Sequence, residues 1–504
     1  MKKQMLTAFL LMAMTSIANA AEQTGLEQFS KAVDDGMATA FGWFVSLIFT
    51  SVDVGGTSFL LIAGWLLVAA IIFTLYFGFI QFRHLGLSLD IVRGKFSDPN
   101  KKETGQVSHF QALTTALSGT VGLGNIAGVG AALAIGGAGA TFWMIVVGLF
   151  GMASKFVECT LGVKYRTVLP SGNVSGGPMY YLSRGMAERG MGGFGKFLAV
   201  GFAVMTILAS MGGGNMFQGN QAFAALSTTF HIDAQYGVVF GVILAGLVAS
   251  VIIGGMPRIA SVTEKVVPFM ALLYIIMSIV VIGSNLEHVG EAFSNILAGA
   301  FTGEGVVGGF IGALIQGLKR ATFSNEAGVG SAAIAHSAVK TEEPATEGLV
   351  ALLEPFIDTV VICTMTALVI SISGVNSLDN MAAVASGAEG ALTGVNLTQA
   401  AFMQTAEWFQ YPLALAIVLF AFSTMISWSY YGLKAWTYLF GESKGAETAY
   451  KLIFCVFVVI GATIQFGFVI DFSDAALFAM SIFNIIGLYF FKVVIQSDIK
   501  ETLP

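Results

Sequence analysis

Apolar residues in this chain fall into long runs separated by short polar or basic interruptions. A helix needs about 20 such residues to cross about 30 Å of hydrocarbon. Eleven stretches qualify, near residues 58–81, 109–136, 141–163, 197–218, 237–254, 265–284, 303–338, 349–372, 411–434, 450–469 and 474–495. The seventh is too long for one straight crossing and carries Lys319, Arg320 and Glu326, so a broken helix is expected there. Ahead of the first, Phe41 to Phe49 is amphipathic and is expected to lie on the membrane surface.

Composition agrees with the pattern. Hydrophobic residues make up 56% of the 504 and charged ones 11%, more apolar surface than a soluble core can hide, which makes the chain a polytopic membrane protein. The placement of charge says more than the net value of −6. Lys and Arg gather after the odd-numbered spans, as in Arg83, Arg93, Lys95, Lys101 and Lys102, then Arg166, Arg184, Arg189 and Lys196, and later Lys434, Lys444 and Lys451. The alternate loops 219–236, 285–302, 373–410 and 470–473 contain none, so the first group is expected in the cytoplasm, with the N-terminus external and the C-terminus cytoplasmic. Residues 1–20 agree: Lys2 and Lys3, the apolar Leu6 to Met14 and Ala18-Asn19-Ala20 compose a signal peptide, which points to a cell inner membrane.

Two interruptions repeat. Asn125-Ile126-Ala127-Gly128-Val129-Gly130 in span two returns as Asn325-Glu326-Ala327-Gly328-Val329-Gly330 in span seven. Five crossings separate them, so they enter the bilayer from opposite sides, the arrangement of an inverted-repeat secondary transporter. In Ser118-Gly119-Thr120-Val121-Gly122-Leu123-Gly124-Asn125, glycines and hydroxyls ease a helix break. Freed carbonyls suit a small cation, and half-helix N-termini suit a carboxylate. Helix packing is the alternative use of such glycines. The scarcity of charge within the spans fits a small neutral substrate.

Other polar positions are read individually. Glu326 is expected to pair with Lys319 or Arg320, and Lys155 with Glu158 at i,i+3. Asn215 to Gln221 is an amide-rich run at the outer end of span four, placed to fix an ammonium or carboxylate or simply to end the helix. Ser423, Thr424 and Ser427 offer hydroxyls ahead of Trp428, which lines a pocket or anchors the helix at the interface. Cys159, Cys363 and Cys455 read as packing residues, and the five histidines show no ligand spacing.

On Ser118–Gly128, Gly136–Met144, Gly177-Pro178-Met179-Tyr180-Tyr181 and Phe323–Ala332, the chain resembles the alanine or glycine:cation symporters of the amino acid–polyamine–organocation superfamily over roughly 58–495. It departs from their signature with Ala138 and Ile145 where proline and tryptophan are usual. The resemblance implies an all-α, leucine-transporter-like 5+5 inverted repeat with one extra N-terminal transmembrane helix. The divisions expected are a signal peptide at 1–20, an external segment at 21–57, the extra helix at 58–81, five-helix repeats at 109–284 and 303–495, and a cytoplasmic tail at 496–504. It implies sodium-coupled symport of alanine or glycine, with proton coupling or another neutral amino acid such as serine or glutamine as the alternative. Substrate would rest on Gly122, Gly124, Asn125, Gln218, Ser324, Asn325, Gly328 and Trp428, and sodium on Gly119, Gly122, Ser423, Thr424 and Ser427. Beyond sodium as coupling ion no cofactor is implied, and the partners are that amino acid, sodium and the lipid bilayer, without nucleic acid. A passive pore lacks a filter motif here, and an intramembrane enzyme lacks a catalytic constellation.

Overall fold

Among the described residues of the computed structural model, which are 23–54, 57–96, 104–169, 173–302, 309–464 and 467–502, helix occupies every span position the apolar runs define. The expected signal peptide lies outside the described residues. Eight helices are long and apolar enough to cross a membrane: Gly139–Lys164, Gly192–Phe230, Ala234–Ile252, Gly255–Ser284, Pro344–Ser373, Glu407–Phe440, Lys444–Thr463 and Ile470–Lys500. His109–Thr120 and Gly124–Gly136 together make a ninth, bent by 48°. The shorter Leu61–Tyr76 takes the first position, and Gly309–Asn325 followed by Ala332–His336 takes the seventh.

Local chemistry accounts for the second span. Ser108 begins it as a capping box, its Oγ accepting from Gln111 N at 3.2 Å while Gln111 Oε1 accepts from Ser108 N at 3.1 Å. The helix then fails at 121–123 and resumes through a π-helical turn at Gly124–Gly128. The seventh span fails at Glu326–Gly330, where Glu326 (φ 56), Gly328 (φ 83) and Gly330 (φ 96) all enter the left-handed region. For glutamate this conformation costs about 1 kcal/mol or more, so its surroundings must hold it there.

The two broken spans run antiparallel. The start of the second lies beside the end of the seventh, with Val107 paired to Val339, Gln106 N donating to Ala338 O at 2.7 Å and Lys340 N to Val107 O at 2.8 Å. Their middles meet where Gly124 faces Ser324, and at the opposite end Gly136 packs on Gln316. Arg166, after the third span, secures the first of these ends. Its guanidinium donates to the carbonyls of Thr104 (2.7 Å), Ser337 (3.1 Å), Val339 (2.5 Å) and Thr341 (2.6 Å). This is the basic end of the pair.

One expectation changes and three others gain detail. The amide run Asn215–Gln221 is not a helix end: the fourth span continues to Phe230 through a π-helical turn at Gly212–Met216, so the amides point into the protein. The amphipathic Phe41–Phe49 belongs mostly to a long helix, Gln23–Ile48, whose Phe41 packs on Phe472 with ring centres 4.9 Å apart. The connector 373–410 folds into Leu378–Ser386 and Gly394–Thr405, and the second of these is inserted against the second span, with Thr398 Oγ1 donating to Ile126 O at 3.0 Å. The last helix runs to Thr502, through the expected tail.

The antiparallel arrangement is testable by cross-linking. With the native cysteines replaced by alanine, Val107→Cys and Val339→Cys together are expected to form an intramolecular disulfide under mild oxidation, as their positions face each other across a bridge. Neither single variant should show the mobility shift. A failure of the pair to cross-link in folded protein would contradict the arrangement.

Candidate functional site

The break in the second span releases main-chain groups into the interior. In an unbroken helix the N–H groups of Gly122 and Leu123 would bond to the carbonyls of Ser118 and Gly119. Here Gly122 N donates to Asn125 Oδ1 at 2.8 Å, and Leu123 N donates to Gln218 Oε1 at 3.1 Å. Two carbonyl oxygens are therefore freed from helical pairing in a buried place, where an unpaired polar group costs about 1–3 kcal/mol. A small, mostly enclosed cavity opens beside them, lined by Gly119, Thr120, Gly122, Gly124, Gly213, Gln218, Phe323, Glu326, Thr424, Trp428 and Leu477.

Span nine forms one wall. Thr424 Oγ1 is buried without a hydrogen-bond partner, and a methyl group added to Gly122 would overlap it. Ser427 Oγ donates to Thr115 O at 2.9 Å, and Ser118 Oγ donates to Ser423 O at 2.6 Å, stitching spans two and nine together. Ser423 Oγ donates to Phe420 O at 2.9 Å. These serine hydroxyls commit their hydrogens to carbonyls but keep oxygen lone pairs. The Tyr431 hydroxyl is also buried without a partner, and it packs on Gly119. Trp428 is fully enclosed rather than set at an interface, and Gly214 lies so close to its ring that no side chain fits between.

The seventh span supplies Glu326, and its partners correct the expected ion pairs. Glu326 Oε1 accepts from Trp428 Nε1 at 3.0 Å and its other oxygen from the Ser331 hydroxyl. Lys319 and Arg320 both turn to Asp474 of the last span, Lys319 at 2.8 Å. Arg320 also lies over the Phe323 ring, 5.3 Å from its centre, and Phe323 in turn meets Phe217 edge-on at 5.2 Å. Lys155 does not pair with Glu158 but reaches Glu354 at 3.2 Å, while Glu158 accepts from Asn484 Nδ2 at 2.8 Å.

Six of the residues singled out for substrate or sodium line the cavity: Gly119, Gly122, Gly124, Gln218, Thr424 and Trp428. Asn125, Ser324, Asn325, Gly328, Ser423 and Ser427 lie behind its wall. The repeated asparagines have a shared role there. Asn125 Nδ2 donates to Asp358 Oδ1 at 2.6 Å, and Asn325 Nδ2 donates to Thr359 Oγ1 at 2.9 Å. Ser324 Oγ donates to the same Asp358 oxygen at 3.1 Å, and Thr359 Oγ1 donates to Asp358 Oδ2 at 2.7 Å. Each broken helix is thus fastened to one of two consecutive residues in a π-helical stretch of the eighth span, Phe356–Cys363. Gly328 faces away from the cavity, its carbonyl accepting from Asn484 Nδ2 at 3.0 Å. The sequence reading passed over Asp358, and with it Glu347 and Glu354. A carboxylate inside an apolar run is the signal that marks Glu354 and Asp358, while Glu347 stands just ahead of that run.

Residues 45–502 match the sodium:alanine symporter family. The sodium/alanine symporter AgcS of Methanococcus maripaludis is 40% identical over 458 residues, 91% of this chain and 97% of that protein. The Bacillus subtilis protein named "Probable sodium/glutamine symporter GlnT" is 32% identical over 89% of this chain and 90% of its own. Among solved structures, MhsT in complex with L-phenylalanine superposes with a TM-score of 0.51 at 14% identity, covering 76% of this chain and 88% of that one, a likeness of fold.

Asp358 is expected to be a structural keystone. Asp358→Ala strands the Asn125, Ser324 and Thr359 donors and should lower stability by about 3 kcal/mol, read as a fall in the thermal unfolding midpoint in detergent. Asp358→Asn keeps the acceptor toward Asn125 and should cost less than half as much. Equal losses from the two variants would show that charge, not hydrogen bonding, holds the breaks.

Proposed function

The chain belongs to the sodium:alanine symporter family, and we propose that it carries a small neutral amino acid, alanine or glycine, into the cytoplasm with sodium by alternating access. The observation that carries this reading is the partnerless Thr424 hydroxyl beside the released carbonyls of the second span. Hard, neutral oxygens gathered in a dry place suit a small monovalent cation. In the proposed sodium site the carbonyls of Gly119 and Gly122 and the hydroxyls of Thr424, Ser423 and Ser427 supply the ligands; the ion replaces the partner Gly119 lost at the break and shares Gly122 O with Asn125 N, which donates to it at 3.2 Å.

The amino acid then occupies the adjoining cavity. That cavity has a volume of only about 10 Å³ here, so it widens to admit the substrate; Gly122, Gly124, Gln218 and Trp428 border it, and the packed Phe323 ring favours a small side chain. Asn125, Ser324, Asn325 and Gly328 act through the main chain by fixing the shape of the breaks. Glu326 faces the cavity with one carboxylate, which leaves proton coupling as the second reading of the driving ion. The name of GlnT keeps glutamine, and likewise serine, among the substrates to be tested. The basic end faces the cytoplasm on this reading, since Lys and Arg concentrate there, and the protein resides in the cell inner membrane with its N-terminus outside.

Labelled alanine uptake into proteoliposomes tests the proposal, driven in turn by a sodium gradient, a pH gradient and neither, with glycine, serine and glutamine as competitors. Uptake is expected to saturate and to run uphill under the sodium gradient alone. Uptake that needs the pH gradient instead would transfer the coupling role to Glu326. Thr424→Val, which keeps shape but removes the oxygen, should raise the half-saturating sodium concentration about tenfold, a loss of about 1.4 kcal/mol. An unchanged sodium dependence in Thr424→Val would remove this residue from the ion site.

A further inference from the structure

Away from the cavity, five titratable side chains form one chain of contacts at the basic end. Lys155 Nζ donates to Glu354 Oε2 at 3.2 Å, Glu354 Oε1 meets His336 Nε2 at 2.6 Å, and His336 Nδ1 meets Glu347 Oε1 at 2.5 Å. The second oxygen of Glu347 meets His109 Nδ1. The side chains of Lys155, His336, Glu347 and Glu354 are fully buried, and His109 is 16% exposed. His109 begins the second span and His336 ends the helical part of the seventh. Glu347 therefore grips the tips of both broken helices at once, beside the Val107–Val339 pairing.

The number of protons in this chain is constrained. A neutral imidazole has one N–H and one bare nitrogen, yet both nitrogens of His336 face carboxylate oxygens at hydrogen-bonding distance. Each contact needs one hydrogen, so the ring must be doubly protonated, or one of the carboxyls must hold the extra proton. With His109 neutral and donating its Nδ1–H to Glu347, that proton lets Lys155 and His336 balance Glu347 and Glu354. Without it, one bare nitrogen faces an anionic oxygen in a buried place and the group carries an uncompensated negative charge. The charged and titratable neighbours are Glu158 and Cys159 of the third span, Arg166 after it, which donates to Ser337 O, Glu326 of the seventh and Tyr431 of the ninth. Cys159, His336 and Glu354 also come close enough to share a cation, but both His336 nitrogens are engaged and the Lys155 ammonium is adjacent, so a proton fits the group and a metal does not.

We propose that a single proton held by His336 between Glu347 and Glu354 latches the basic ends of the two broken helices, and that this end opens when the proton is lost to the cytoplasm. The sign follows from the count. The proton-bound form is the closed one, so acid on that side holds the end shut and alkali releases it. No proton need cross the membrane, because the site gives up and regains its proton on the same side.

Hydrogen exchange of the purified full-length protein in lipid nanodiscs, without substrate or sodium, tests this separately from the transport reading. The reporters are the amides of Gln106 and Lys340, which bond across to Ala338 and Val107. After correction for intrinsic chemical exchange, their protection should fall about tenfold per pH unit above a midpoint lying between about pH 6 and about pH 9, as one linked proton requires. In His336→Gln and Glu347→Gln the protection should be low and flat with pH. Wild-type protection that does not change over that range would overturn the proposal, and so would a wild-type profile retained in His336→Gln. If the variants do not fold, the wild-type titration alone decides.

Discussion

A helix broken inside a membrane has to find partners for its main chain within the protein, since lipid offers none. This chain breaks two helices and fastens both to one place. Asp358 receives Asn125 from the second span and Ser324 from the seventh, while Thr359 receives Asn325 and turns its own hydroxyl to Asp358. Asn125 also uses its oxygen to hold Gly122 N, and Asn325 uses its oxygen to hold Ala327 N. Each asparagine thus closes the break on one side and anchors it on the other. A local hydroxyl would satisfy the main chain, but it would not couple one break to the other.

From that fastening follows the shape of the cavity. Because Gly122 N and Leu123 N are taken by side-chain oxygens, the carbonyls one turn back lose their helical donors, and span nine sets the partnerless Thr424 hydroxyl against Gly122. The serines beside it are occupied in stitching the helices together, which fixes how far span nine stands from the break. From span nine the Trp428 indole, and from the seventh span the Ser331 hydroxyl, both commit to Glu326. That arrangement holds Glu326 in its left-handed conformation and places a carboxylate where the first expectation had put an ion pair with lysine or arginine.

Much of this was legible in the amino-acid order, and what was not has a physical reason. The spans and the two breaks can be read because apolar length and glycine clusters are local properties. The repeated Asn-x-Ala-Gly-Val-Gly marked residues that matter, although both asparagines proved to stand behind the cavity wall. Pairings were the weak point. Lys155 and Glu158 share a helix face, and Lys319 lies two turns before Glu326, yet each cation found a carboxylate on another span, at least 154 residues away. Helical spacing offers a pair worth only a few tenths of a kcal/mol, whereas a buried charge left without close partners costs several. Tertiary packing therefore decides. Histidines that looked scattered met for the same reason, through Glu347.

The two ends of the site are closed by different chemistry. At the basic end the closure is largely main chain: Val107 against Val339, and Arg166 drawing four carbonyls together beneath the His109–Glu347–His336 chain. At the other end Asp474 takes Arg320 and Lys319, and aromatic rings lie underneath. One oxygen of Asp474 is left buried without a partner, so this closure is incompletely satisfied, and water entering there gains a hydrogen bond that the protein does not supply. Opening the basic end instead breaks several carbonyl bonds together and parts Glu347 from at least one of its two histidines. Of the two ends the basic one has more direct bonds to part, and a ligand in the cavity can open it only by favouring the open form.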